Sequence, residues 1–223
     1  MKEFLMNNKT VNLPTKWEEI NWKKFLAFSK LVDGYTDSET KKKKSKTEDE
    51  WKEAIKVLDL NTKILSFWTG LEVDEIGQWD MKEAEDIMNC LAFVNSKYEP
   101  IEISSFKVGG EEFLLPRKDM MATSSFSRYI EAEQLEIHSN LIKEGRIEIM
   151  PRQIAILCKK VGEGSKLDDD EIDRRAKLFE QLDMATIWDV AFFLNKLEQG
   201  LMTSFLTYQA VEMQKGEEPQ KVL

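Results

Sequence analysis

Histidine is almost missing from this 223-residue chain: His138 is the single copy, which excludes a zinc site built on two or more of its own histidines. Cysteine is scarce as well. Cys90 and Cys158 stand far apart, each inside an apolar run (IMNCLAFV and IAILCKKV), so no thiolate cluster can form. Both read as small core residues, with a disulfide or a reactive thiol as the alternatives. No apolar run approaches the roughly 20 residues that span a bilayer. The amino terminus MKEFLMNNKTVNLP carries neither the apolar stretch nor the cleavage site of a signal peptide, so a soluble intracellular protein is expected. Positive charge is also in deficit. Lys and Arg total 32 against 41 Asp and Glu, and the net charge of −9 opposes general attraction to a nucleic-acid backbone.

The motifs of known chemistries are equally thin. No GxSxG elbow is present, and a Ser-His-Asp set built around His138 could draw on so many serines and carboxylates that it has no specificity. His138, in LEIHSN, reads as an ordinary helix histidine. Glu131 and Glu133 do not share a helix face, whereas Glu133 and Glu136 do, a spacing that suits solvated carboxylates and, less often, a metal or an acid–base pair. Asp168, Asp169, Asp170, Glu171 and Asp173 lack the loop glycine and distal ligand of a calcium hand and are better placed to cap and charge the start of a helix. The run KKKKSK, Lys41 to Lys44 plus Lys46, is flanked by acidic residues, has only Tyr35 as a nearby aromatic, and contains no arginine for reading bases. It reads as a solvated loop. No catalytic, cofactor-binding or metal-binding residue is therefore assigned, and neither specific nucleic-acid binding nor membrane insertion is expected.

What is present is helical punctuation. Asn21 can cap WKKFLAFSKLV, whose Trp22, Phe25, Leu26, Ser29 and Val32 share a face. Gly34 and the polar stretch to residue 50 predict a flexible loop, with Thr47 and Glu50 as a capping box that restarts order. The next helix places Trp51, Ile55, Leu58, Leu65 and Trp68 on one apolar stripe and stops at Gly70. Asp80 and Glu83 form a second capping box before a helix that buries Ala84, Ile87, Met88, Leu91 and Val94, with Pro100 at or beyond its end. A third helical region presents Phe126, Tyr129, Ile130, Glu133 and Ile137. A short helix is expected from Arg152, with Pro151 at its first turn and Gly162 beyond its end. The final stripe runs through Ile187, Val190, Phe193, Leu194, Leu197 and Leu201, with Phe205 and Tyr208 able to continue it.

Between these helices lies FKVGGEEFLLP. With Gly109 and Gly110 as a two-residue turn, Val108 faces Glu111, Lys107 faces Glu112 and Phe106 faces Phe113, which places an aromatic pair on one face and an ion pair on the other. A phosphate loop would need a longer amide nest and a following helix start, and EEFLLP supplies neither. The fold class is therefore mainly α, a compact multi-helix fold with a small antiparallel β-hairpin. Residues 1–100 form an amino-terminal helical unit with a flexible loop near 34–50, residues 101–118 the hairpin, and residues 119–223 a carboxy-terminal helical unit, packed together as one globule.

Six tryptophans in a helical chain of this size leave room for aromatic anchors at a protein interface, and Trp17, Trp22, Trp79 and Trp188 are the candidates. The segments LPTKWEEINWKKFLAFSKL, ILSFWTGLEVDEI, SFKVGGEEFLLP with SFSRYIEAEQ, and LFEQLDMATIWDVAFFLNKL together resemble small helical tail or virion-assembly proteins of tailed bacteriophages infecting Bacteroidetes-like hosts. The resemblance implies a non-enzymatic assembly protein in the host cytoplasm, in particular a tail-assembly chaperone. Its implied partners are phage structural proteins such as the tail tape-measure or tube protein, and it leaves a homo-oligomer open. A structural component retained in the mature virion and an uncharacterised hydrolase are the alternatives.

Overall fold

The computed structural model describes residues 1–6, 9–36, 46–116, 126–142, 146–163, 167–194 and 196. The chain is mainly α-helical with small antiparallel β-sheets, as its punctuation predicts. An unforeseen hairpin comes first: β1 (Lys2–Met6) pairs antiparallel with β2 (Lys9–Leu13). Its logic is period-2 alternation, since Met6, Val11 and Leu13 are buried whereas Leu5 is exposed.

A 3-10 turn at Trp17–Glu19 leads into α1 (Trp22–Thr36), where Asn21 Oδ1 accepts the Lys24 N–H at 2.8 Å as the expected cap. Helix α1 runs through Gly34, which has a helix on both sides and does not stop it. Lys41 to Lys44 lie outside the described residues. Helix α2 is Lys46–Thr69, so Thr47 is inside the helix and not its cap. Gly70 does end α2: its φ is +71° and its N–H reaches the Ser66 carbonyl at 2.8 Å. After the single turn α3 (Val73–Ile76) comes α4 (Met81–Leu91) with the predicted capping box. Glu83 N–H donates to Asp80 Oδ1 at 2.7 Å, and Asp80 N–H donates to Glu83 Oε2 at 3.1 Å.

The GG hairpin has the predicted register. Strands β3 (Ser105–Val108) and β4 (Glu111–Leu114) pair Phe106 with Phe113, Lys107 with Glu112 and Val108 with Glu111, around Gly109 and Gly110 at φ +58° and +79°. The two phenyl rings stack at 5.6 Å, and the Phe179 ring stands edge-on at 4.7 Å from Phe113. A short third strand, β5 (Lys159–Lys160), extends this sheet along β4.

In the carboxy-terminal half, α5 (Phe126–Ile142) packs on α6 (Arg146–Leu157) with a different face from the one expected. Ala132 and Ser139 are buried, while Ile130 and Ile137 are 40% and 59% exposed. Small residues occupy the buried side, and the larger isoleucines turn outward. Helix α6 also starts earlier than predicted and holds Pro151 in its interior. Proline has no N–H for the carbonyl four residues back, which is that of Ile147. That carbonyl accepts the Trp22 indole N–H at 2.9 Å, so the helix defect is satisfied from α1. Helix α7 (Asp169–Phe179) is capped by Asp168, whose Oδ1 accepts the Glu171 N–H at 2.9 Å, and α8 spans residues 184–194.

One core unites all of this, with buried members from Met6 to Val190. Backbone bonds from Trp22 N–H to Leu182 C=O (3.0 Å) and from Met184 N–H to Ile20 C=O (2.8 Å) fasten the start of α1 to the start of α8. Rings form its spine. Phe67 and Trp68 meet Phe28, Phe28 meets Phe25, and Phe25 meets Trp17 and Trp188 at centroid separations of 5.2 to 6.3 Å. Trp68 is 3% exposed and Leu65 4%, which anchors the carboxy-terminal end of α2 in this spine. Among the described residues no helix is long and apolar enough to cross a membrane.

Candidate functional site

The four tryptophans expected at an interface lie in or against the core. Trp17 is the hub of the aromatic spine, edge-on to Phe25, Phe93, Tyr98 and Trp188, and is 8% exposed. Trp22 is 7% exposed and spends its indole N–H on Ile147. Burial within the chain removes both from any surface a partner could touch. Trp79 and Trp188 are half-buried, and among the described residues neither indole N–H meets an acceptor.

The tryptophan that does face solvent is Trp51, at 76% exposure, although it belongs to the apolar stripe of α2. Ile55 and Leu58, on the same stripe, are 63% and 64% exposed, and Val57 beside them is 50% exposed. Only Leu65 and Trp68 of that stripe are buried. The reason is length: at about 1.5 Å per residue, the 24 residues of α2 outrun the 15 of α1 by roughly 13 Å. The contacts of α2 with Phe28 and Lys24 of α1 all fall on its last turn. The amino-terminal half of α2 therefore presents an unburied row of large apolar side chains, a feature that marks interaction surfaces when the residues are contiguous.

A second feature is a cavity of about 420 Å³ between α5, α6, α8 and the segment around Tyr98. Tyr129, Met150, Leu157 and Phe192 supply apolar walls, and Glu133, Glu136 and Gln153 the polar groups. The predicted facing pair Glu133 and Glu136 does come together here. Gln153 Nε2 donates to Glu136 Oε2 at 3.2 Å, which ties one carboxylate to α6. Tyr98 donates its hydroxyl to Asp189 Oδ1 at 2.9 Å, and the Ile101 N–H donates to the same oxygen at 2.8 Å. Burial, then the Asp189 carboxylate, pushes the Tyr98 phenol well above the usual tyrosine range, so it stays protonated as a structural donor. Among the described residues, the lining contains no histidine, serine, cysteine or lysine, and its ionisable groups are the Glu133 and Glu136 carboxyls and the Tyr98 and Tyr129 phenols.

The remaining titratable candidates are absorbed by structure. His138 is exposed on α5 and does not line the cavity. Cys158 is fully buried and its thiol is pushed up to about 12 by burial, and Cys90 is half-buried; both are free thiols. Asp168 caps α7, Asp173 pairs with Arg152, and Glu171 binds Arg174 at 2.7 Å and Arg175 at 2.8 Å. Those arginines, Arg174 first, hold the Glu171 carboxyl down at about 2. Among the described residues no group of three or more His, Cys, Asp or Glu is arranged to hold a metal ion. No protein-family model, curated protein or solved structure matches the chain.

Proposed function

We propose that this chain is a non-enzymatic bacteriophage assembly protein, acting as a tail-assembly chaperone that binds structural protein chains through an apolar helix face. One observation carries the binding role: Trp51, Ile55 and Leu58 stand unburied in a row on α2, spaced by four and then three residues. Such a row is costly to leave in water, at about 25 cal/mol for each Å² of apolar area, unless a partner covers it. The phage context comes from the resemblance of the amino-terminal, hairpin and carboxy-terminal segments to tail and virion-assembly proteins. The chaperone works in the host cytoplasm on a tape-measure or tube precursor, and a component retained in the virion is the competing assembly role. Quantitative mass spectrometry of infected-cell complexes and purified particles tests this. Association with tail precursors and absence from virions is the expected result, a fixed copy number in virions turns the reading to the retained component, and association with no phage protein in either sample refutes it.

A further inference from the structure

The spacing along the exposed half of α2 is that of a coiled-coil seam. Trp51, Ile55, Leu58, Thr62 and Leu65 alternate at intervals of four and three, the seam of a two-helix coiled coil in which 51, 58 and 65 are d positions and 55 and 62 are a positions. Leu65 is already buried in the chain's own core, so the seam available to a partner runs from Trp51 to Thr62, about 16 Å of helix. Thr62 belongs to that seam without strain, because its hydroxyl donates to the Leu58 carbonyl at 2.8 Å within the helix and its methyl is left for contact.

The charges beside the seam select the partner. Position e is occupied by Lys52 in one heptad and Asp59 in the next, and position g by Ala54 and Asn61. In an antiparallel pair, e faces e. If a two-fold axis places Ile55 against the other copy's Leu58, and therefore Trp51 against its Thr62, then Lys52 falls opposite its Asp59 and Asp59 opposite its Lys52. Asp59 also holds its own Lys63 at 3.0 Å, so each carboxylate would sit between two ammonium groups. A parallel pair would set g against e and bring Ala54 to Asp59, with no charge matched.

We propose that α2 pairs antiparallel with α2 of a second copy of this chain, with Ile55 and Leu58 exchanged across a two-fold axis and Lys52 and Asp59 forming the reciprocal ion pairs at its edge. The contact is isologous and closes on itself, so it makes a dimer and not a filament. This rests on the reading of the α2 face as protein-binding and names its occupant. In the assembly role, the face is covered in the free protein.

Sedimentation of the full chain between about 1 and about 100 µM, the range in which a short seam of this kind exchanges, tests the proposal. The expected result is a monomer–dimer equilibrium. Leu58→Asp should shift it at least about tenfold toward monomer, because it buries a charge at the axis, and should leave the helical circular dichroism unchanged because Leu58 is exposed in the monomer. Lys52→Asp and Asp59→Lys should each weaken the dimer by roughly tenfold through two like-charge contacts, and the double variant K52D/D59K should regain most of the loss. A monomer throughout the range, a dimer indifferent to Leu58→Asp, or charge reversals that are not rescued in the double variant would each overturn the proposal. The two readings fail separately: a wild-type monomer whose Leu58→Asp variant loses a phage partner in pull-down refutes the dimer alone, and a monomer that captures no phage protein refutes both.

Discussion

Arg175 shows how much one side chain can hold in this chain. It is 2% exposed, bonded to Glu163 at 3.0 Å and Glu171 at 2.8 Å, with its guanidinium 5.5 Å from the centre of the Phe113 ring. It also reaches the Cys158 carbonyl at 3.4 Å, so one residue of α7 ties the end of α6 and the turn after β5 to the hairpin. Glu163 is itself 10% exposed, and its second oxygen has Arg128 at 3.8 Å without a hydrogen bond. Arg175→Ala should cost about 3 kcal/mol, because Glu163 loses its hydrogen-bonded cation and keeps only the Lys160 N–H at 2.8 Å and Arg128 at 3.8 Å. Urea unfolding measures this, and pairing it with Glu163→Gln should recover part of the loss. The turn glycines give a finer contrast. A Cβ on Gly110 would meet open space, whereas one on Gly109 would come within 2.7 Å of Leu178 Cδ1. Gly110→Ala should cost about 1–2 kcal/mol for its left-handed backbone alone, and Gly109→Ala more, since Leu178 must also move. Equal melting shifts for the two variants would contradict this account of the hairpin seated on α7.

At the scale of the element, the helix ends follow rules that act over a few residues. The reciprocal Asp80 and Glu83 bonds make α4 a clear case: Asp80→Ala should destabilise by about 1 kcal/mol, measured as a drop in denaturation midpoint with unchanged slope. The buried faces of helices are not set so locally. On α2 one stripe is divided between core and solvent, and on α5 the buried side is the one with Ala132 and Ser139 in place of Ile130 and Ile137. The α6 proline is a related case. Read along the chain it marks a helix start, yet the indole of Trp22, 125 residues away, makes an interior proline tolerable by taking up the Ile147 carbonyl.

For the whole molecule, the ion pairs around α7 predict how stability responds to acid. The Glu171 carboxyl is held at about 2 against an ordinary 4.5, with Arg174 the first cause and Arg175 behind it, and Glu111 is lowered in the same direction by Arg174 and then Lys160. Folded-state carboxyls below their unfolded values stabilise the protein fully above the unfolded value and lose that contribution as pH falls through the folded one. Stability should therefore decline as pH drops from about 4.5 toward about 2. Urea midpoints across that window follow the decline, and Glu171→Gln should flatten it. A Glu171→Gln profile that overlays the wild type would show that other carboxyls govern the acid transition.

The sequence alone determined what neighbours in the chain decide: the Phe106–Phe113 register around two turn glycines, the caps at Asn21, Asp80 and Asp168, the stop at Gly70, and the mainly helical class. Each depends on atoms within a few residues, so the local pattern contains its cause. Tertiary structure decided which apolar residues find cover. Trp68 and Trp51 occupy one stripe with the same chemistry, but Phe28 of α1 reaches Trp68, and α1 is too short to shield Trp51. The same holds for the buried charge: nothing adjacent to Arg175 distinguishes it from Arg174, and only the packing of α7 on α6 and the GG hairpin takes one guanidinium to 2% exposure and leaves the other 44% exposed. Burial depends on which distant segments arrive, and distance along the chain does not encode that.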